Sequence, residues 1–283
     1  MVENRTPFAR ALPHLILGIG VLIIAFPVYI AFIASTHDAA AVINGTFGLL
    51  PGGRLLENYG RVLFTGSSST TREPVWTMLV NSFVMAMTIA GGKILISIIS
   101  AFAVVYFKFP FRTAIFWIIF ITLMLPVEVR IYPTYKVVSD LGLLDTYSGL
   151  TVPLVASATG TLLFRQFFMT VPDELIEASK IDGAGPWKFF WDTLVPLSLT
   201  TCAALFVIQF IYGWNQYLWP LLITTRDNMQ TIVIGIKKMI VTQDALTEWQ
   251  LAMATAVLAM LPPVAVVVLM QKLFVKGLVE TEK

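Results

Sequence analysis

Charge is what this sequence has least of: only 13% of its 283 residues are Asp, Glu, Lys or Arg, about half the share in an average soluble domain. Because 57% of the residues are hydrophobic, so few charges cannot cover a water-facing surface, which excludes an ordinary soluble globule. Cysteine is nearly absent. Cys202 stands alone in an apolar run, so there is no disulfide framework and no thiolate cluster for a metal, and nothing about redox compartment follows. The two histidines, His14 and His37, have no partner pattern and read as structural; the metal expectation is none. The 19 basic and 17 acidic residues leave a net charge of +2 in short clusters, without the basic stripe that tracks a phosphate backbone, which argues against nucleic acid.

Catalytic signatures are missing too. No Gly-x-x-x-x-Gly-Lys-Ser/Thr loop occurs: Gly91-Gly92-Lys93 comes nearest, but Ile94 follows the lysine and Met87 occupies the first glycine's place. The chain therefore cannot cradle ATP. It also offers no nucleophile, metal set or acid–base pair in a plausible pocket, so no catalytic residue is expected.

What is present is length in apolar runs. A bilayer core of about 30 Å takes about 20 apolar residues per helix, and 12–34, 76–106, 113–135, 148–169, 200–223 and 249–271 meet that need. They predict an all-α integral membrane protein, a single domain of six transmembrane helices. The first run follows Arg5 and Arg10, as a secretory signal would, but outlasts a signal core of about 7–15 residues and reads as a retained helix. Trp76, Trp117, Trp219 and Trp249 fall near span ends, as interfacial aromatics do. Six spans put both termini on one side. The cytoplasmic side is weakly favoured, with ten basic residues inside against eight outside.

Two connections are long. Residues 35–75, with Pro51-Gly52-Gly53 and the polar run from Gly66 to Thr71, read as an external loop with short helical pieces. Residues 170–199 read as two short cytoplasmic helices joined by a tight turn. Pro172, Asp173 and Glu174 suit a helix start. Gly183 stands where that helix ends in a left-handed residue, and Pro186 can open the next. Leu175, Ile176, Ser179 and Ile181 supply a partly apolar face, and small residues at Ala178, Ser179, Ala184 and Gly185 let another surface approach the backbone. Glu177 and Asp182 offer charges to an arginine on that surface. An amphipathic helix resting on lipid headgroups would mix the same residue types.

Within the spans, Lys93, Glu128 and Arg130 each cost about 2.5–3.5 kcal/mol on insertion scales. Glu128 and Arg130 are two apart, hence not on one face of a regular helix, although Pro126 and Pro133 bracket them. One reading is an electropositive pathway lining in which Arg130 grips a phosphate and Lys93 adds a second cation. The other is that Glu128 neutralises one of them, or that Arg130 snorkels. Asn81, Ser82, Trp214, Asn215 and Gln216 either line a pathway or stitch helices together. Asn215 is the favoured exception to packing, because Gly213 and Pro220 flank it and can unwind the helix. A secondary transporter would more often show a repeat and a titratable pair at mid-membrane.

The run Glu177-Ala178-Ser179, then Asp182-Gly183-Ala184, then Val195-Pro196-Leu197 resembles the EAA loop of permease subunits in binding-protein-dependent ABC importers. Two departures are Ser179, where the family often has alanine, and Leu199-Thr200, where many relatives place a proline. The segments Phe120–Pro133, Phe164–Met169 and Phe210–Leu222, with the ending Gly277–Lys283, further resemble the permeases of sn-glycerol-3-phosphate importers. The resemblance implies a type I importer permease fold with a cytoplasmic coupling helix in the bacterial inner membrane. It implies as partners a second permease subunit, two copies of an ATP-binding subunit that uses ATP and Mg, and a periplasmic glycerol-3-phosphate-binding protein, all working among membrane lipids. It also implies import of glycerol-3-phosphate and glycerophosphodiesters, with a sugar importer of the same family as the alternative. Glu177, Ala178, Ser179, Asp182, Gly183 and Ala184 would then couple to the ATPase, and this chain would bind no cofactor of its own.

Overall fold

In the computed structural model, which describes residues 7–66, 73–121, 127–240 and 247–280, every regular element among the described residues is helical. Three helices are long and apolar enough to cross a membrane unbroken: α1 (Pro7–Ser35), α4 (Val75–Tyr106) and α15 (Trp249–Glu280). At 1.5 Å per residue the 32 residues of α4 extend about 48 Å, longer than the hydrocarbon core. Between α1 and α4 lie the short helices α2 (Ala39–Asn44) and α3 (Leu55–Phe64), the helical pieces expected in the long loop.

The fourth and fifth expected spans are broken. The fourth divides into α7 (Tyr147–Val155) and α8 (Ala158–Phe168), bent by 45°. Thr146 and Ser157 explain the restart, since each hydroxyl accepts a backbone N–H one turn on, from Gly149 and Gly160. In the third, α5 (Arg112–Ile121) and α6 (Val127–Asp140) flank residues 122–126, which, with Pro126, lie outside the described residues, as do 67–71 of the polar run. Among the described residues, length and composition thus support three crossings, or up to five if each bent pair is one span. The third expected span, 113–135, includes residues outside the described ones, so this count does not bear on it.

The segment after α8 comprises α9 (Asp173–Ile181), α10 (Pro186–Phe189), a π-helical turn over Phe190–Leu194 and α11 (Val195–Leu197). Pro196 accounts for the widened turn: its missing N–H and its ring cannot fit a regular α-helical ladder. At Ser198, whose hydroxyl donates to the Leu194 carbonyl at 2.6 Å, the chain turns by 70° into α12 (Leu199–Trp214). Without a proline at 199 or 200, a serine back-bond still marks the bend. The fifth expected span then stops at Trp214 and resumes as α13 (Leu218–Ile223), followed by α14 (Ile232–Ile240).

Two compact units result, Met1–Trp76 with Gly235–Met260, and Thr77–Ile234 with Leu261–Lys283. In the first, buried Asn58 donates to the carbonyls of Ser35 and His37, and Arg61 pairs with Glu248 at 2.8 Å. His37 accordingly ties a loop together, with Nδ1 2.9 Å from the Ile33 carbonyl oxygen. In the second, an aromatic core of Phe102, Phe164, Phe168 and Phe190 joins α4, α8 and the π turn, with Leu205 of α12. Close approach needs small residues here. A Cβ on Gly213 would lie 2.9 Å from the Ala86 Cα, and one on Gly160 would lie 2.9 Å from the Ser97 Cβ, the small-residue contact by which membrane helices pack.

Candidate coupling segment and intramembrane polar groups

Helix α9 begins after Pro172 and carries Asp173 and Glu174 in its first turn and Lys180 in its last, both favourable to the helix dipole. Its end is a Schellman turn. Gly183 has φ +72°, its N–H donates to the Lys180 carbonyl at 3.0 Å, and the Ala184 N–H donates to the Ser179 carbonyl at 2.9 Å. Pro186 then opens α10. The end of α9 is thus closed by its own backbone hydrogen bonds, and only a short turn, Asp182–Gly185, separates it from α10.

Side chains divide differently from expectation. Ile176 turns inward against the aromatic core, while Leu175 is exposed and Ile181 is 86% exposed, so the apolar residues do not form one face. Glu177, Ala178, Asp182 and Gly183 are exposed, and Ser179 and Ala184 are half-buried. Ile176 with Ser179 faces the protein's own interior, and the exposed remainder of α9 faces outward with Trp187 of α10, itself 60% exposed.

Lys93 lies inside the second unit, 7% exposed. Its ammonium donates to Gln209 Oε1 at 2.9 Å and sits 3.9 Å from the centroid of the Tyr212 ring. Among the described residues no carboxylate pairs with it, and the positive charge of Arg130 acts on it through space. Arg130 is exposed on α6; the side chain of Glu128 lies outside the described residues. Gln209 and Tyr212 were not singled out from the sequence. Their signal was there, a glutamine inside an apolar span three residues before a tyrosine, on one helix face.

Asn81 is 2% exposed and fully engaged: its amide donates to the carbonyls of Asn228 and Gln230, and its oxygen accepts from the Tyr147 hydroxyl at 2.6 Å. It holds a loop, with Ser82 accepting the Ile232 N–H beside it. Trp214 is buried and stacks on Phe210 at 5.9 Å. Asn215 is exposed in the break between α12 and α13.

The same loop is held by Asp145, another residue not singled out from sequence. Its carboxylate accepts the Thr225 N–H at 2.6 Å, the Arg226 N–H at 2.9 Å and the Thr225 hydroxyl at 2.6 Å. Desolvation is the largest single influence and opposes ionisation, but the Thr225 hydroxyl, both amides and the Arg226 charge together outweigh it, holding the carboxyl below its ordinary value. With the folded value depressed, this stabilisation is present above the unfolded pKa of about 4 and is lost as pH falls through the folded value. Asp145→Asn should therefore flatten the acid limb of stability below about pH 4 relative to wild type. Thermal unfolding of the solubilised chain at stepped pH reads this; parallel acid limbs would show that Asp145 does not hold the loop.

The family model described as binding-protein-dependent transport system inner membrane component matches residues 93–280, from Lys93 through the α9–α12 segment to α15. The chain belongs to that family. This inner-membrane permease component is 59% identical over 283 residues to the sn-glycerol-3-phosphate transport system permease protein UgpE of Agrobacterium fabrum, with 100% of both chains covered. It is 56% identical to the protein of that name in Escherichia coli strain K12, again over 100% of both. Its fold matches a solved bacterial ABC transporter involved in the import of the acidic polysaccharide alginate, with TM-score 0.81 and 23% identity, covering 96% of this chain and 99% of that one. At that identity the likeness establishes the fold. The permease is thus a multi-pass inner-membrane component of an ABC importer, a family whose members are transport components.

Proposed function

We propose that the chain is one permease subunit of an ATP-driven importer of sn-glycerol-3-phosphate and of glycerophosphodiesters, forming half of the pathway with a second, different permease. Two copies of an ATPase lie on the cytoplasmic side and use ATP and Mg; a periplasmic binding protein delivers substrate. The carrying observation is end-to-end identity of 56–59% to permeases named for sn-glycerol-3-phosphate transport. Uptake of labelled sn-glycerol-3-phosphate by cells lacking only this subunit tests it: expression of the chain should restore uptake, and failure despite normal insertion would sink the reading.

In this proposal α9 is the coupling helix. Glu177, Ala178, Asp182 and Gly183 meet the ATPase, and closure of the ATPases pushes α9. The push would travel as a rigid-body motion because the tight Schellman turn leaves little slack between α9 and α10, Ile176 seats α9 on the aromatic core, and α10 continues through the π turn and α11 to the bend at Ser198 that opens α12. Both termini face the cytoplasm and the six expected spans cross the bilayer. Lys93 and Arg130 give the pathway a positive potential that suits a phosphate monoester. Arg130→Ala should lower uptake about tenfold while leaving assembly intact; equal loss of both would mean that Arg130 is structural.

A further inference from the structure

A cavity of about 570 Å³ opens where the C-terminal end of α4, the start of α5 and the last turns of α8 meet, at the end of the bundle that leads into α9. Two arginines line it, Arg112 and Arg165, with Thr113 and Gln166 as further polar residues. Arg165 lies over the Phe116 ring at 4.3 Å, so its planar face is held by a cation–π contact. Neither arginine pairs with a carboxylate among the described residues. Arg112 also opens α5, where the helix dipole disfavours a cation, so its position gains nothing from its own helix.

The rest of the wall is apolar, with Trp117, Phe120 and Leu162 among its residues, and α5 also carries the exposed side chains Ile118 and Ile121. A phosphate group fits two unpaired arginines. A free phosphate leaves the apolar wall uncovered, whereas two acyl chains cover it. We propose that this cavity is a binding site for an anionic glycerophospholipid, its phosphate held by Arg112 and Arg165 at the boundary of the bilayer and its acyl chains lying along α5 and α8. Basic pockets between helices at this depth recognise anionic headgroups. This inference is independent of which substrate the importer carries.

The test is native mass spectrometry of the full chain and of the assembled importer, released from detergent containing equal phosphatidylglycerol and phosphatidylcholine. Wild type should retain one more phosphatidylglycerol than the Arg112→Gln/Arg165→Gln double variant, whose affinity for that lipid should fall about 30-fold. An Arg112→Lys/Arg165→Lys variant should keep part of the preference, which separates lost charge from lost folding. Equal retention of the two lipids by wild type, or unchanged retention by the glutamine variant, overturns the proposal. So does displacement of the lipid by excess free sn-glycerol-3-phosphate, which would make it a site for the soluble anion. If the isolated chain distinguishes the variants and the assembled importer does not, the partner permease covers the cavity and the proposal fails.

Discussion

Gly183→Val is expected to leave the chain inserted and assembled yet to lower coupled uptake by at least about tenfold. The residue sits at φ +72°, and a Cβ there would meet nothing within 4 Å. The cost is therefore torsional, about 1–2 kcal/mol for a left-handed residue with a side chain and more for a branched one. That is too little to unfold a membrane protein, but enough to make the α9–α10 angle settle elsewhere. Gly183→Asn separates torsion from contact, because asparagine tolerates the left-handed region. It should keep most of the uptake. Measuring ATP hydrolysis and uptake on the same proteoliposomes decides: hydrolysis without uptake in the valine variant supports a stiff turn that transmits motion, and normal coupled transport would remove the turn from the mechanism.

The second large effect is expected at Lys93. Its burial costs about 2.5–3.5 kcal/mol, and its compensation is the Gln209 carbonyl, worth about 1.5–3 kcal/mol for a charged hydrogen bond, and the Tyr212 ring, worth about 2 kcal/mol when desolvated. The compensation, about 3.5–5 kcal/mol in sum, exceeds the cost only modestly, so a well-packed apolar pair of similar volume should serve stability as well, and the role left to the cation is the one proposed above, attracting an anion. Lys93→Met alone would strand the buried Gln209 oxygen, at about 1–3 kcal/mol; adding Gln209→Leu removes that penalty. The double variant should melt at or above the wild-type temperature while sn-glycerol-3-phosphate uptake falls by about tenfold. A fall in melting temperature with uptake per folded molecule unchanged would assign Lys93 to packing.

Local rules make the α9–α10 segment legible in the sequence. Pro172, Asp173, Gly183 and Pro186 are punctuation whose effect depends on neighbours within a turn, and α9, its left-handed end and the start of α10 follow them. The break at Asn215 was legible for the same reason, from Gly213 and Pro220. Long-range partners were not legible. Lys93 meets Gln209 across 116 residues, and Asn81 meets Asn228 and Gln230 across 147 and 149, separations that no spacing rule covers. The bends at Ser157 and Ser198 were missed because apolar runs report burial in lipid and not the direction of a helix. The positive cavity at Arg112 and Arg165 was missed because its two cations stand 53 positions apart, at the ends of different spans.

The central claim is that this chain moves sn-glycerol-3-phosphate when a separate ATPase hydrolyses ATP. The most direct measurement is substrate-dependent ATP hydrolysis in proteoliposomes holding this chain, its partner permease, the ATPase and the binding protein, with sn-glycerol-3-phosphate and maltose compared. Stimulation by sn-glycerol-3-phosphate and none by maltose is the predicted result. Stimulation by maltose instead would keep the importer architecture and contradict the substrate, and no stimulation by either would contradict the account.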